Sequence, residues 1–345
     1  MLKNKLLVVG SILLSSTTML AISAACSNNK QEVKPSNPSN GTETGNPTNP
    51  GETKPSQPES PNKDKENVVQ VSKYLYDNSE KAMEYYAPLN GLSGDELIKA
   101  IITLQWSKAN DTSTNYRSLP GFYNNTDAFK DIFYEKDNSI LDIYSENPNG
   151  TDPYTFSTYA TIDGAKNEGD GTNREHLIPQ SWFKRVEPIR SDAQFVWPTD
   201  IKVNNIRSNF PHGEVSNVSY TSLNGSKLGI SKTGKKVFEP IDEFKGDIAR
   251  TYLYFALTYA NQDIYNANEV FSRTTPTHLN DEYLQIYLKW NNSDPVDSFD
   301  IHRNDQIYKN YRAVRNPFID YPELTKCLFE GKTFVNKGLL IGMTK

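Results

Sequence analysis

Two neighbouring stretches of the chain decide its fold: NREHLIPQSWF, residues 173–183, and SDAQFVWPTDIKVNNIRSNFPHGEV, residues 191–215. In the first, the charged residues Arg174 and Glu175 stand directly before His176. Histidine is scarce in this chain, with four in 345 residues. A lone histidine most often has a structural or surface role, so this interpretation depends on what the second stretch adds.

The second stretch predicts a helix that carries polar ligands. Asp200 follows a proline and a threonine and can cap a helix that begins at Ile201. On such a helix Asn204 and Arg207 are three residues apart and share a face. Carboxylate and amide oxygens suit Mg²⁺ or Ca²⁺, arginine binds phosphate, and a histidine with a pKa near 6.5 can act as a base. Together these groups indicate metal-assisted hydrolysis of a phosphodiester.

The same residues closely resemble the bacterial endonuclease I family of ββα-metal nucleases, also called His-Me finger nucleases. The resemblance extends over most of the chain beyond residue 68. It includes these further matches: Tyr85-Tyr86, Ile143-Tyr144-Ser145, Gly246-Asp247-Ile248-Ala249-Arg250, His302-Arg303-Asn304 and Arg315-Asn316-Pro317. The resemblance implies an α+β fold, a mostly helical single domain around a small ββα-metal nuclease core.

The resemblance also implies roles for individual residues. His176 matches the general base that takes a proton from the attacking water. Glu175 and Asn204 match the ligands of a single Mg²⁺, for which Ca²⁺ or Mn²⁺ are conceivable substitutes. Arg190 and Arg207 are the candidates for phosphate contact, although Arg207 could equally brace the metal-binding helix through a salt bridge. The implied substrate is DNA, with RNA open as a second substrate, and the implied products carry 5′ phosphates.

One feature of this assignment conflicts with regular strand geometry. Neighbouring residues on a strand point to opposite faces, so Glu175 and His176 cannot both face a site from an ideal strand. We therefore expect a strand end or a bulge at this point.

Two positions depart from the family pattern. Gln194 stands where relatives often have histidine, which we interpret as a change around the metal site. Arg312-Ala313-Val314 replaces a polar segment of the family, so no role of that segment is carried over to this chain. Cys327 is expected to be a buried thiol, and His212, His278 and His302 to have structural or surface roles.

The N-terminus predicts export and lipidation. Residues 1–25 combine two early lysines with an apolar run, as in a secretory signal, and the run is short and interrupted for a transmembrane anchor. The ending Ser-Ala-Ala-Cys looks like the lipobox of bacterial lipoproteins, so Cys26 is the expected site of lipidation. We expect residues 1–25 to be a signal peptide and the protein to be lipid-anchored on the extracellular face of the cell membrane.

Residues 26–67 are expected to form the lipidated cysteine and a disordered tether. Residues 27–67 contain seven prolines and three glycines, and they offer almost no apolar surface to bury. The nuclease-like domain is expected to occupy residues 68–345. Within it, helical spacing predicts helices over 68–89, 93–107, 247–261 and 281–291, and residues 139–145 read as a short buried strand.

Composition and charge limit the alternatives. The formal charge of −5 excludes a general basic coat, so binding to nucleic acid must rely on a local basic patch or a metal. Two cysteines exclude a disulfide framework and a four-cysteine zinc site. No protein partner is predicted. Two other functions stay open: a catalytically inactive nucleic-acid-binding lipoprotein or adhesin on the same fold, and a phosphoesterase that acts on small molecules.

Overall fold

A computed structural model describes residues 72–262 and 269–344. The predictions for the signal peptide, for Cys26 and for the tether lie outside the described residues. No helix in the described ranges is long and apolar enough to span a membrane.

The described residues form short strands and helices of up to 16 residues. The strands are β1 (Tyr74–Asp77), β2 (Thr172–His176), β3 (Val196–Asp200), β4 (Asn217–Thr221), β5 (Lys227–Ile230), β6 (Lys236–Glu239) and β7 (Leu339–Met343). The helices are α1 (Glu80–Tyr86), α2 (Gly94–Ala109), α3 (Leu119–Asn125), α4 (Ile201–Arg207), α5 (Lys245–Thr258), α6 (Asp281–Ser293), α7 (Ser298–Asn310), α8 (Pro317–Asp320) and α9 (Leu324–Phe329). The strands form three small antiparallel sheets, β1–β7, β2–β3 and β4–β5–β6. The fold is therefore α+β, as predicted.

A ββα unit stands at the centre of the chain. β2 and β3 pair in antiparallel fashion without a register shift, with Glu175 opposite Trp197. α4 follows β3 directly, and the Asp200 carboxylate accepts the Val203 backbone N–H at 2.7 Å, which confirms the predicted cap. The backbone N–H of Asp200 in turn donates to the Asp142 carboxylate at 2.8 Å. The end of β3 is therefore held on both sides before the helix begins.

The long helices match the sequence pattern best. The helices predicted over 93–107, 247–261 and 281–291 are present as α2, α5 and α6. Residues 246–258 of α5 are all buried, and α2 and α6 pack against this helix. Tyr252, Tyr254 and Tyr259 lie in this core.

Two element predictions were wrong. Residues 68–89 were expected to be helical, but within the described part β1 precedes a short α1, because residues 74–77 pair with β7 at the other end of the chain. Residues 139–145 form no strand; Ile140 makes one isolated bridge with Lys130. A turn replaces the strand, because the backbone N–H groups of Ser145 and Glu146 both donate to the carbonyl of Asp142.

The motifs in the second half of the chain build a buried charge network. Arg303 donates to Asp247 at 3.0 Å and to Asp300 at 2.6 Å, and Arg250 also pairs with Asp300. All four side chains are buried, so the network joins α5 to α7 inside the protein. Gly246 belongs to the same contact, since a Cβ there would lie 1.9 Å from the carbonyl oxygen of Asp294. These matches to the family are therefore explained by packing and not by chemistry at the candidate site.

Candidate active site

An open cleft of about 450 Å³ lies beside the ββα unit. β2 contributes Asn173, Arg174, Glu175 and His176 to its wall, and α4 contributes Asn204 and Arg207 among others. The cleft also receives Tyr116 from the loop before α3. The structure thus brings the predicted residues Glu175, His176, Asn204 and Arg207 around one opening. Arg190 is close by, but the cleft wall does not include it.

Glu175 is a buried carboxylate with two hydrogen-bond donors on one oxygen. Its Oε1 accepts from the Tyr144 hydroxyl at 3.0 Å and from Arg207 at 2.8 Å. Burial raises the pKa of Glu175, and the charge of Arg207 and the hydrogen bond from Tyr144 act in the opposite direction. Both donors bind Oε1 and so orient the carboxylate, while Oε2 remains available for a ligand.

Arg207 ties α4 to the end of β2. Its guanidinium donates to Glu175, to the backbone carbonyl of His176 at 2.8 Å and to the backbone carbonyl of Leu177. The side chain is only 1% exposed. A guanidinium with three internal acceptors and almost no exposure resembles a structural brace more than a phosphate contact.

His176 is the last residue of β2, and its ring is oriented by a carbonyl group. Its Nε2 lies 3.0 Å from the backbone oxygen of Arg190, which can only accept a hydrogen bond. Nε2 therefore carries the proton, and Nδ1 keeps the lone pair that can act as a base. Burial, followed by the nearby arginines, lowers the pKa of His176 to about 3, against which the hydrogen bond to Arg190 acts.

The strand geometry resolves the conflict between Glu175 and His176. The ladder between β2 and β3 has no bulge, and His176 stands at the strand end. Both residues line the cleft because the strand stops there. Of the two expected irregularities, the strand end is the one that the structure contains.

Asn204 and Glu175 offer a donor set that fits Mg²⁺. Asn204 donates its side-chain Nδ2 to the Oδ1 of Asn173 at 2.7 Å, so its own amide oxygen is the atom left for a metal. Mg²⁺ prefers oxygen ligands, typically one or two carboxylates with water and substrate phosphate completing the shell. An oriented carboxylate and an oriented amide oxygen on the wall of an open cleft satisfy that preference. The residues present therefore fit the metal that the resemblance implies.

Comparison with known proteins shows the family of the chain. The family model described as Endonuclease I matches residues 96–323, which include the whole ββα unit. The chain belongs to the endonuclease I family. It is 34% identical over 175 residues to the "Extracellular ribonuclease" of Bacillus amyloliquefaciens, covering 49% of this chain and 57% of that protein.

A second relative gives the same result. The "Extracellular ribonuclease" of Bacillus subtilis (strain 168) is 35% identical over 165 residues, covering 46% of this chain and 53% of the relative. The chain thus spans little more than half the length of these two curated relatives. The family match and the two relatives together show that this endonuclease I family member is a nuclease.

Arg190, a predicted phosphate contact, shares an aromatic platform with Arg174, which the sequence analysis had given no phosphate role. The guanidinium groups of Arg174 and Arg190 lie over the Tyr116 ring, 3.7 Å and 3.9 Å from its centroid. The Tyr116 ring also stacks on the His176 ring, with centroids 5.7 Å apart. Arg174, Arg190 and Tyr116 are half-buried, so positive charge lies at the surface beside the base. No motif marked Tyr116, because its segment is far from His176 in the sequence.

Tyr144 and His212 also support the site without being predicted to do so. The Tyr144 hydroxyl lies 3.4 Å from Nε2 of the buried His212, and the Nδ1 of His212 lies 3.2 Å from the Tyr252 hydroxyl. The match at Ile143-Tyr144-Ser145 could have indicated Tyr144. The sequence could not show that its hydroxyl reaches Glu175, since the two residues are 31 positions apart.

The departures from the family pattern have structural explanations. Gln194 donates to Asn304 at 2.9 Å and to the carbonyl of Val314 at 3.2 Å, inside the helical core. Gln194 does not line the cleft, so its contacts do not support the interpretation as a residue around the metal site. Arg312 is buried and donates to the carbonyl of Pro188 at 3.0 Å and to the Ser191 hydroxyl at 2.9 Å. The substituted segment therefore packs against the turn that carries Arg190.

The role of Arg207 as a brace can be measured as stability. In Arg207→Met the Glu175 carboxylate stays buried without its ion pair, which typically costs about 3–5 kcal/mol. We expect urea unfolding to show a loss of this size. Lys289→Met is the matched control, because the Lys289–Glu214 pair is exposed and should contribute at most about 1 kcal/mol. Equal, small losses in the two variants would contradict the bracing role.

Proposed function

We propose that this chain is a metal-dependent endonuclease that hydrolyses phosphodiester bonds in nucleic acids. The observation that carries the proposal is the orientation of His176. Its Nε2 is engaged by the Arg190 carbonyl, while Glu175 and Asn204 line the same cleft. A base and a pair of metal ligands beside an open cleft are the parts that water-dependent hydrolysis of phosphate esters needs.

His176 acts as the general base in this proposal. Its neutral ring accepts a proton at Nδ1 from the attacking water, and the Arg190 carbonyl holds the ring in the required tautomer. Stacking against Tyr116 limits rotation of the ring. The positive charge that the ring gains is stabilised little by its buried surroundings, so the proton must be passed on quickly to solvent through the open side of the cleft.

Glu175 and Asn204 hold the divalent metal, which we propose to be Mg²⁺. When bound, the metal supplies positive charge that stabilises the negative charge developing on the phosphate and the leaving oxygen. Arg207 and Tyr144 fix Glu175 so that the carboxylate does not have to reorganise when the metal binds. Arg207 is proposed as a brace, and Arg174 and Arg190 as the residues that approach the substrate phosphates.

The proposed substrates are both RNA and DNA. A water nucleophile activated by His176 does not require the ribose 2′-hydroxyl, so the chemistry extends to DNA. The relatives are named ribonucleases, which favours RNA as one substrate. Contacts to phosphates carry no base information, so we propose little sequence preference and products with 5′ phosphates. With a net charge of −5, binding depends on a few placed arginines and should weaken in salt.

We further propose that the enzyme works at the extracellular face of the cell membrane. The relatives are named extracellular, which supports export. The lipobox-like ending at Cys26 supports a lipid anchor, with residues 27–67 as the spacer between membrane and enzyme.

Replacing His176 tests the mechanism. His176→Ala should lower the cleavage rate of plasmid DNA and of RNA by about 10²–10⁴, because the base is lost while the metal ligands stay. His302→Ala is the control, since His302 lies outside the cleft. Cleavage should stop in EDTA, and end-labelling should show 5′ phosphates.

Undiminished cutting by His176→Ala would overturn the mechanism. Binding of DNA without cutting by the natural protein would favour the inactive binder, and cutting of small diesters alone would favour the phosphoesterase.

Replacing Cys26 tests the anchor. We expect the natural chain to partition with membranes and into the detergent phase, and Cys26→Ser to remain in the aqueous phase because it cannot be acylated. Cys327→Ser is the matched control, since that thiol is buried inside the domain. Membrane partitioning of Cys26→Ser equal to that of the natural chain would rule out the lipid anchor.

A further inference from the structure

A second acidic cluster lies outside the active-site cleft. Asp131, Glu135 and Glu146 each place a carboxylate oxygen within 4.8 Å of the others. None of the three lines the cleft, and none contacts Glu175, His176 or Asn204. Exposed acidic groups often cluster without binding anything, so the burial of the members decides what this cluster means.

Glu146 is the unusual member. Its side chain is 1% exposed, and neither carboxylate oxygen accepts a hydrogen bond from an N–H group or a hydroxyl among the described residues; its near neighbour is the Glu135 carboxylate. The strongest charges acting on it come from Asp152, Asp131 and Glu135, all of them carboxylates. A buried ionised carboxylate without partners is costly, so such groups are paired with a cation, bound to a metal or protonated. Glu146 therefore points to a positively charged ligand.

Asp131 is held by its own loop. Its Oδ1 accepts the backbone N–H groups of Phe133 at 3.0 Å and Tyr134 at 2.8 Å, and its Oδ2 accepts that of Lys136 at 2.8 Å. The loop wraps around the carboxylate and turns it towards Glu146, while Glu135 approaches from the exposed side. One carboxylate is thus fixed by the backbone, one is buried and one can move in from solvent.

We propose that Asp131, Glu135 and Glu146 form a second divalent-cation site, separate from the active site, that prefers Ca²⁺. All its donors are oxygens, which suit a hard cation. Ca²⁺ accepts irregular shells of six to eight oxygens, whereas Mg²⁺ demands a near-ideal octahedron. Two of the carboxylates are fixed by burial or by backbone hydrogen bonds, so they cannot adjust to a strict octahedron, and this favours the larger ion.

The site has a direct structural link to the active site. Glu146 ends the turn that begins at Asp142, and this turn contains Tyr144, which donates to Glu175. Asn224 holds the same turn through the carbonyls of Ile143 and Glu146. A cation on Glu146 would fix the end of the turn and so help to position Tyr144. It would contribute stability to the enzyme without taking part in the reaction.

A proton is the alternative occupant. Burial first, and the neighbouring carboxylates next, raise the pKa of Glu146 to about 9, so without a cation this group is protonated at neutral pH. Shared protons and bound cations both relieve the repulsion, but only a cation site responds to added Ca²⁺. The experiment must therefore vary the metal and not only remove the charge.

The test is thermal unfolding of the full-length chain after metal removal. Glu175→Gln serves as the background, because it removes the carboxylate of the active-site cleft. We expect Ca²⁺ at about a hundredfold excess over its Kd to raise Tm by on the order of 5 °C in this background. In the double variant Glu175→Gln/Glu146→Gln, the same Ca²⁺ concentration should leave Tm unchanged. In the control double variant Glu175→Gln/Glu96→Gln, which removes an exposed carboxylate on α2, the rise should persist.

Two further measurements keep the proposal open to refutation. Glu135 is exposed, so the Glu135→Gln variant should fold normally. Calorimetry should show that this variant binds Ca²⁺ about tenfold more weakly, or weaker still. This measurement tests the cation site even if Glu146→Gln fails to fold. No Tm rise with Ca²⁺, or a rise retained in Glu146→Gln, would overturn the proposal, because neither result is compatible with a Ca²⁺ ion held by Glu146. An equal rise with Mg²⁺ would overturn the preference for Ca²⁺.

Discussion

The buried guanidinium of Arg207 is the interaction on which the candidate site depends. It joins the last turn of α4 to the end of β2 by donating to the Glu175 carboxylate and to the carbonyls of His176 and Leu177. These contacts set the position of the base and of one metal ligand together. Because Arg207 is buried with Glu175, its charge favours an ionised carboxylate in surroundings that otherwise favour the neutral form. The same contact therefore determines both the geometry and the charge of the site.

A second set of contacts orients the histidine. The carbonyl of Arg190 accepts from His176, and Arg312 holds the turn that carries this carbonyl through Pro188 and Ser191. Arg312 belongs to the segment that departs from the family pattern. Its contacts show how this chain supports the turn with a buried arginine, so the departure gives no reason to infer loss of activity.

The sequence predicted the parts of the fold that follow from local chemistry. The Asp200 cap and helices α2, α5 and α6 could be derived because capping and helical periodicity are local. β1 was missed because its partner β7 is at the far end of the chain, and the turn at Asp142 was misread because its apolar residues are buried without a strand. The site shows the same division. Glu175, His176 and Asn204 were chosen from motifs, whereas Tyr116 and Tyr144 reach the site across sequence distances that no motif covers.

In the proposed mechanism, Glu175 and Asn204 bind the metal beside His176 while Arg207 stays on Glu175. Anomalous diffraction from crystals soaked in Mn²⁺ tests it most directly. We expect a peak in the cleft with the Glu175 carboxylate and the Asn204 amide oxygen as protein ligands, and with Arg207 still bonded to Oε1. A metal held in the cleft without either residue, or an Arg207 side chain displaced from Glu175 into the cleft, would contradict it.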